Sequence, residues 1–123
     1  IAPQPIERRL SASRYVEQCV VIGNSRQFCS ALLVLDAVAV GNWLKENGKA
    51  IPGDLAADPA VRELIQGEVD AVNAALPHWE QVKKFALVTR PWSIETGELT
   101  PTLKIKRRVI NERHADEIQT LYA

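Results

Sequence analysis

Apolar positions change rhythm several times along the chain, and each change marks an element. The runs YVEQCVVIG and FCSALLVLD are β-branched and almost continuously apolar, and the polar stretch NSRQ divides them. They are predicted to form a largely buried antiparallel hairpin over residues 16–22 and 28–35. Further along, Val61, Leu64, Ile65, Val69, Val72 and Leu76 recur at three- and four-residue steps and draw one apolar stripe down a helix. Asp58 and Pro59 suit its N-cap and first turn, and Pro77 ends it. Asp36 caps a shorter helix carrying Val40, Trp43 and Leu44, which Asn47 and Gly48 stop.

The remaining elements are shorter. Pro5 at a first helical position, followed by Ile6, Arg9 and Leu10, predicts a helix ending near the Ser11 and Ser13 cluster. KAIPGDLAA reads as a loop, HWEQVKK as one or two further turns, and FALVTR as a third strand ended by Pro91. Residues 92–104 hold Gly97, Thr100, Pro101 and Thr102, and read as a loop or loose hairpin with no core pattern. From Lys106 or Arg107 a last helical segment is expected to reach Tyr122, with Val109, Ile110, Ile118, Leu121 and Tyr122 as its apolar positions. The fold class is therefore α+β: a small sheet of about three mostly antiparallel strands, with an N-terminal hairpin, flanked by helices.

Composition narrows the picture. At 123 residues the chain is one domain, with 24% charged and 46% hydrophobic residues. Fifteen basic residues balance fifteen acidic ones, so no global field draws in nucleic acid or an anionic membrane, and any basic site is local. The only dense one is residues 104–108. No apolar run approaches the ~20 residues of a spanning helix, and no secretory leader opens the chain, so a cytoplasmic location is expected. Cys19 and Cys29 each sit in an apolar run and are read as buried, reduced thiols. The chain opens at Ile1 and contains no methionine, as expected of a piece of something longer or of a processed chain.

Candidate chemistry is sparse. No Cys/His cluster has zinc spacing and no glycine-rich phosphate loop follows a strand. His78 and His114 read as surface or helix-end side chains, although His114 and Glu117 share a helix face. Ser11, Ser13, Ser25, Ser30 and Ser93 occupy no nucleophile turn, and Asp36, Asp58 and Glu98 read as caps or solvated loop charges. That leaves Lys104 in GELTPTLKIKRR. Pro101 fixes its own φ and restricts Thr100, so the loop would present the lysine on a semi-rigid arm. An ammonium is a compact point charge suited to clustered anionic oxygens. The residues alone leave two readings open: a presented cation, or the solvated basic start of a helix in which Lys106, Arg107 and Arg108 are plain surface.

Four stretches decide between them by resemblance. IAPQPIE, CVVIGNSRQFCSALLVLD, WEQVKKFAL and GELTPTLKIKRRVI resemble segments of the C-terminal domain of AMP-forming acyl-CoA synthetases, within the acyl-adenylate-forming superfamily. Across essentially the whole chain the resemblance is strongest to the long-chain fatty acid–CoA ligase branch. In the wider superfamily a glycine usually precedes the motif lysine; here Leu103 does, as is common in this branch.

The resemblance implies that residues 1–123 are a mobile lid domain whose large ATP- and acyl-binding N-terminal domain lies upstream. It implies a two-step ligase that uses ATP with magnesium, then coenzyme A, with no cofactor bound by this fragment alone. Lys104 would be the catalytic group of adenylation, presented by Gly97, Thr100, Pro101 and Thr102; the coenzyme A contacts stay unassigned. The implied partners are the enzyme's own N-terminal domain, a fatty acid, ATP and coenzyme A, with no nucleic acid; any peripheral membrane contact would run through the preceding domain. Alternatives are a non-catalytic protein- or nucleic-acid-binding module using residues 104–108, or an adenylate-forming enzyme for a medium-chain or aryl acid.

Overall fold

A computed structural model describes residues 1–23 and 26–123. In chain order the elements are α1 (Pro3–Ser11), β1 (Val16–Ile22), β2 (Cys29–Leu35), α2 (Ala37–Glu46), α3 (Pro59–Asn73), β3 (Val82–Val88), α4 (Arg107–Arg113) and α5 (Ala115–Leu121). Single 3₁₀ turns at Leu55–Ala57 and His78–Glu80 punctuate the connections. The expected hairpin is present as β1 and β2, paired antiparallel, with Asn24 and Ser25 of its turn outside the described residues.

The sheet order is β1-β2-β3, and β3 lies parallel to β2. Mostly antiparallel pairing therefore holds for the hairpin, while the second pair makes the sheet mixed. The cause is the connection: α2 and α3 intervene between β2 and β3, and a helical crossover returns the chain in the same direction. β3 also begins at Val82, ahead of the expected FALVTR. The Asn73 side chain at the end of α3 donates to the Val82 carbonyl and accepts its N–H, both at 2.8 Å, and so starts the strand there.

Helix ends follow the sequence signals. The Asp36 and Asp58 carboxylates accept the N–H groups of Ala39 and Val61, each at 3.1 Å. Gly48 takes φ 67° beyond α2, letting the Lys49 N–H reach the Leu44 carbonyl at 2.8 Å.

Every residue of β2 is buried because helices cover both faces of the sheet. On one face Cys19, Val21, Ala31, Leu33 and Phe85 pack against α1, α2 and α3 through Ile6, Leu44 and Ile65. On the other, Val20, Leu32 and Val34 meet Trp92, Leu99, Ile110 and Ile118. A strand buried on both sides reads as a continuous apolar run, which is why CSALLVL shows no alternation. The second core corrects the expectation that residues 92–104 carry no core pattern: Trp92 is 3% exposed and Leu99 8%. The Trp92 peptide is also held at the sheet edge, its N–H and carbonyl bonding to the Gln18 side chain at 2.8 and 2.9 Å. The last helix is likewise two helices, broken at His114.

Candidate functional site

GELTPTLKIK folds as a tight hairpin that emerges from the second core. Leu99 bridges Ile105 in antiparallel fashion, and the Lys106 N–H donates to the Glu98 carbonyl at 2.8 Å. At the tip the Thr100 N–H donates to the Lys104 carbonyl and the Leu103 N–H to the Thr100 carbonyl, both at 2.8 Å. The Thr100 hydroxyl accepts the Lys104 N–H at 3.0 Å and lies 3.1 Å from the Thr102 hydroxyl. Pro101 occupies the position in this turn where its fixed φ is an asset. The expected semi-rigid arm is thus an ordered four-residue turn, with Leu103 at φ 65°, the only non-glycine in the left-handed region among the described residues.

Lys104 is exposed and forms no ion pair among the described residues. Its basic neighbours divide. Lys106 and Arg108 are exposed, Arg108 making only a 3.8 Å surface pair with Glu112. Arg107, read from sequence as plain surface, instead sends two guanidinium N–H bonds of 2.7 and 2.6 Å to Glu7 on α1. Glu7 also accepts the Val21 N–H at 2.8 Å, so one carboxylate ties α1, β1 and α4 together. The hydrogen-bonded Glu7 carboxylate raises the Arg107 pKa against the opposing effect of burial.

Glu98 is the second correction, because it is fully buried and not a solvated loop charge. Its carboxylate accepts from the Ser93 N–H at 3.3 Å, from the Thr96 hydroxyl, from Arg113 at 2.9 Å and from Arg90 at 3.2 Å. Burial alone would raise this carboxyl, but the bonds from Thr96, Ser93 and Arg113 outweigh it and lower the pKa to about 2. Gly97 stands at φ 94°, and an added Cβ there would meet the Arg113 guanidinium at 3.1 Å. Glycine serves at this point both for its backbone conformation and for the room it leaves.

The turn expected around Lys104 is present, while the ion-pair partners Glu7, Glu98, Arg107 and Arg113 were missed. Their partners are 14–100 positions apart for Glu7 and scattered through a non-periodic loop for Glu98, so no local spacing reveals them. His114, expected at a helix end, does sit at the helix break, where it accepts the Trp92 indole N–H at 3.1 Å and pairs with Glu117. Cys19 and Cys29 are buried and unpaired, and burial pushes the Cys19 thiol up to about 11. No helix is long and apolar enough to cross a membrane among the described residues.

Comparison with known proteins gives this geometry a family. The chain is 38% identical over 125 residues to long-chain-fatty-acid–CoA ligase FadD15 of Mycobacterium tuberculosis, covering 99% of this chain and 21% of that protein. It is 34% identical over 128 residues to the peroxisomal long chain acyl-CoA synthetase 7 of Arabidopsis thaliana, covering 100% of this chain and 18% of the relative. The chain thus spans about a fifth of the length of these relatives. Among solved structures, the adenylation domain of a carboxylate reductase from Mycobacterium chelonae superposes with a TM-score of 0.76 at 25% identity, over 97% of this chain and 17% of that one. The A-PCP didomain of a carboxylic acid reductase from Segniliparus rugosus, in complex with AMP, shares the fold with a TM-score of 0.77 at 24% identity, over 99% and 16%. A family model described as the AMP-binding enzyme C-terminal domain matches residues 1–123 throughout, and the chain belongs to that family.

Proposed function

We propose that this chain is the C-terminal lid domain of an AMP-forming long-chain fatty acid–CoA ligase, and that Lys104 serves its first half-reaction. The observation that carries this reading is an exposed ammonium, with no ion-pair partner among the described residues, at the tip of a hairpin whose base is buried. In the first step a fatty acid carboxylate oxygen attacks the α-phosphate of ATP. A new O–P bond forms, the bond to pyrophosphate breaks, and acyl-adenylate results. Two anions must approach each other, so the barrier is largely electrostatic. A single fixed cation touching carboxylate and phosphate oxygens relieves their repulsion, and relieves it most as charge moves onto the leaving group.

In the second step the coenzyme A thiol sulfur, giving up its proton, attacks the acyl carbonyl and AMP departs, leaving a thioester. Lys104 has no part in that step. The domain swings to a second orientation on the N-terminal domain, carrying the lysine away and bringing another face to the coenzyme A tunnel. No three His, Cys, Asp or Glu side chains converge to hold a metal ion among the described residues. Magnesium enters this reading as part of the ATP substrate, held largely by its phosphates, and the lysine's role is derived without it. Without the N-terminal domain the fragment folds but does not catalyse.

The basic segment supports a nucleic-acid-binding module poorly. Arg107 and Arg113 are committed to Glu7 and Glu98, which leaves a footprint too small for backbone-driven binding. The test is fatty-acid-dependent ATP–pyrophosphate exchange by the full-length protein, wild type beside Lys104→Ala. Exchange should appear with long-chain acids and fall roughly 10²–10³-fold in the variant, with thioester formation from supplied acyl-adenylate much less affected. Equal loss in both half-reactions, or none, would refute the role of Lys104. Exchange with aryl or medium-chain acids alone would reassign the acid.

A further inference from the structure

Glu98 is more than the proposed reaction requires of a loop residue. A carboxylate with no solvent exposure must be compensated at every oxygen, and an apolar side chain of similar volume would fill the same space without that demand. What the carboxylate adds is direction. One oxygen is held by the Ser93 amide and the Thr96 hydroxyl, the other by Arg113 and Arg90. Arg113 comes from the last turn of α4, the helix that begins directly after the hairpin, and its guanidinium also donates to the Thr96 carbonyl. Three segments thus converge on this side chain of the hairpin: the loop at 93–96, Arg90 just beyond β3 and the far end of the helix that follows.

The backbone of Glu98 closes the arrangement. Its carbonyl accepts the Lys106 N–H, and the adjacent Leu99 bridges Ile105. From this pair of strands the path to Lys104 is short and hydrogen-bonded, through Thr100, whose N–H and hydroxyl both hold Lys104 backbone atoms. Little in this path can rotate without breaking a bond. A displacement of the base would therefore reappear at the tip.

We propose that Glu98 is a positioning residue for Lys104: through Arg113 and the loop at 93–96 it fixes the base of the hairpin, so that the ammonium meets the reacting oxygens in one pose. This rests on the adenylation role of Lys104. An error of about 1 Å in placing such a group costs on the order of 10²-fold in rate, so loosening the base should show in the adenylation step.

The experiment is a double-mutant cycle in the full-length enzyme: Glu98→Gln, Lys104→Ala and both together. Single-turnover adenylation is read from pyrophosphate release, and thioester formation from supplied acyl-adenylate. Glu98→Gln should slow adenylation by roughly 10–10²-fold, spare thioester formation, and cause no further loss where Lys104 is already alanine. Additive losses with Lys104→Ala, or equal slowing of both steps by Glu98→Gln, would overturn the inference and leave the Lys104 role standing. Normal adenylation by Lys104→Ala would overturn both. Should Glu98→Gln not fold, Arg113→Gln, at a half-exposed position, replaces it in the cycle. The same non-additive pattern is expected of it, and wild-type adenylation would overturn the inference.

Discussion

Replacing Glu7 by alanine should be among the most costly single changes available outside the two apolar cores. The side chain is 11% exposed and makes three charge-assisted bonds, two to Arg107 at 2.7 and 2.6 Å and one from the Val21 N–H at 2.8 Å. Hydrogen bonds to charged groups are worth about 1.5–3 kcal/mol each in net terms, and a buried amide left without a partner costs about 1–3 kcal/mol. Arg107 is 36% exposed and can turn to water, so its share must be discounted toward the value of a surface pair. The Val21 amide has no such escape, because Val21 is 4% exposed. A net loss of about 3 kcal/mol follows. For a 123-residue chain the unfolding entropy is about 0.26 kcal/mol per degree, so the midpoint should fall by roughly 12 °C. Thermal scans by circular dichroism measure it. Glu7→Gln keeps an acceptor for Val21 and should lose about half as much. A Glu7→Ala midpoint within ~2 °C of wild type would refute the reasoning, since neither the ion pair nor the strand-edge bond would then matter.

Leu103→Gly should raise the melting midpoint of the chain by a few degrees. The left-handed conformation costs a leucine about 1–2 kcal/mol, glycine's extra unfolded-state freedom returns about 0.5–1 kcal/mol of that, and a lower midpoint would refute the assignment of strain. The Glu98 carboxyl lies below its unfolded value of 4.5, so its contribution is complete above that pH and fades as pH falls toward about 2. Acid unfolding followed by tryptophan fluorescence should therefore be less steep between these limits in Glu98→Gln, and an unchanged profile would refute the low pKa.

Where the sequence was legible, one residue type carried the signal on its own terms. Asp36, Asp58 and Gly48 marked helix ends because a cap needs only its own side chain or backbone and the adjacent turn. The runs around Cys19 and Leu33 marked strands because burial on both faces leaves no polar alternation. The direction of β3 was in principle available too: two helices between β2 and β3 make a crossover, and a crossover implies parallel pairing. The break at His114 was not, since nothing in VINERHADEI interrupts a helical pattern; it coincides with the Trp92 indole, 22 positions earlier, donating to the imidazole. Trp92, Leu99 and Glu98 were illegible for the same reason. They occupy a loop with no period, and what buries them is a sheet face built by residues far away in sequence.

A group that must neutralise charge on a substrate faces two opposed demands. It needs to be free of partners, since a lysine paired within its own domain would have to break that pair before serving the reaction. It also needs a defined position, since a four-carbon stem on a mobile loop samples too many places to be preorganised. The hairpin separates these demands along its length. Lys104 at the tip is exposed with no ion-pair partner among the described residues, while Leu99 and Glu98 at the base are buried and Ile105 packs on the second core. Arg107, just beyond the hairpin, is bound to Glu7, which in turn joins α1 and β1. Motion of α1 relative to α4 therefore strains an ion pair. Under the proposed cycle of two orientations, that linkage makes the lysine travel with the whole domain instead of swinging independently. It also gives one member of the basic run after Lys104, Arg107, a structural role beyond its charge. Arg107 is tied to Glu7 and Arg113 to Glu98, so under the proposed role of Lys104 substituting either should weaken the placement of the lysine without removing the cation itself.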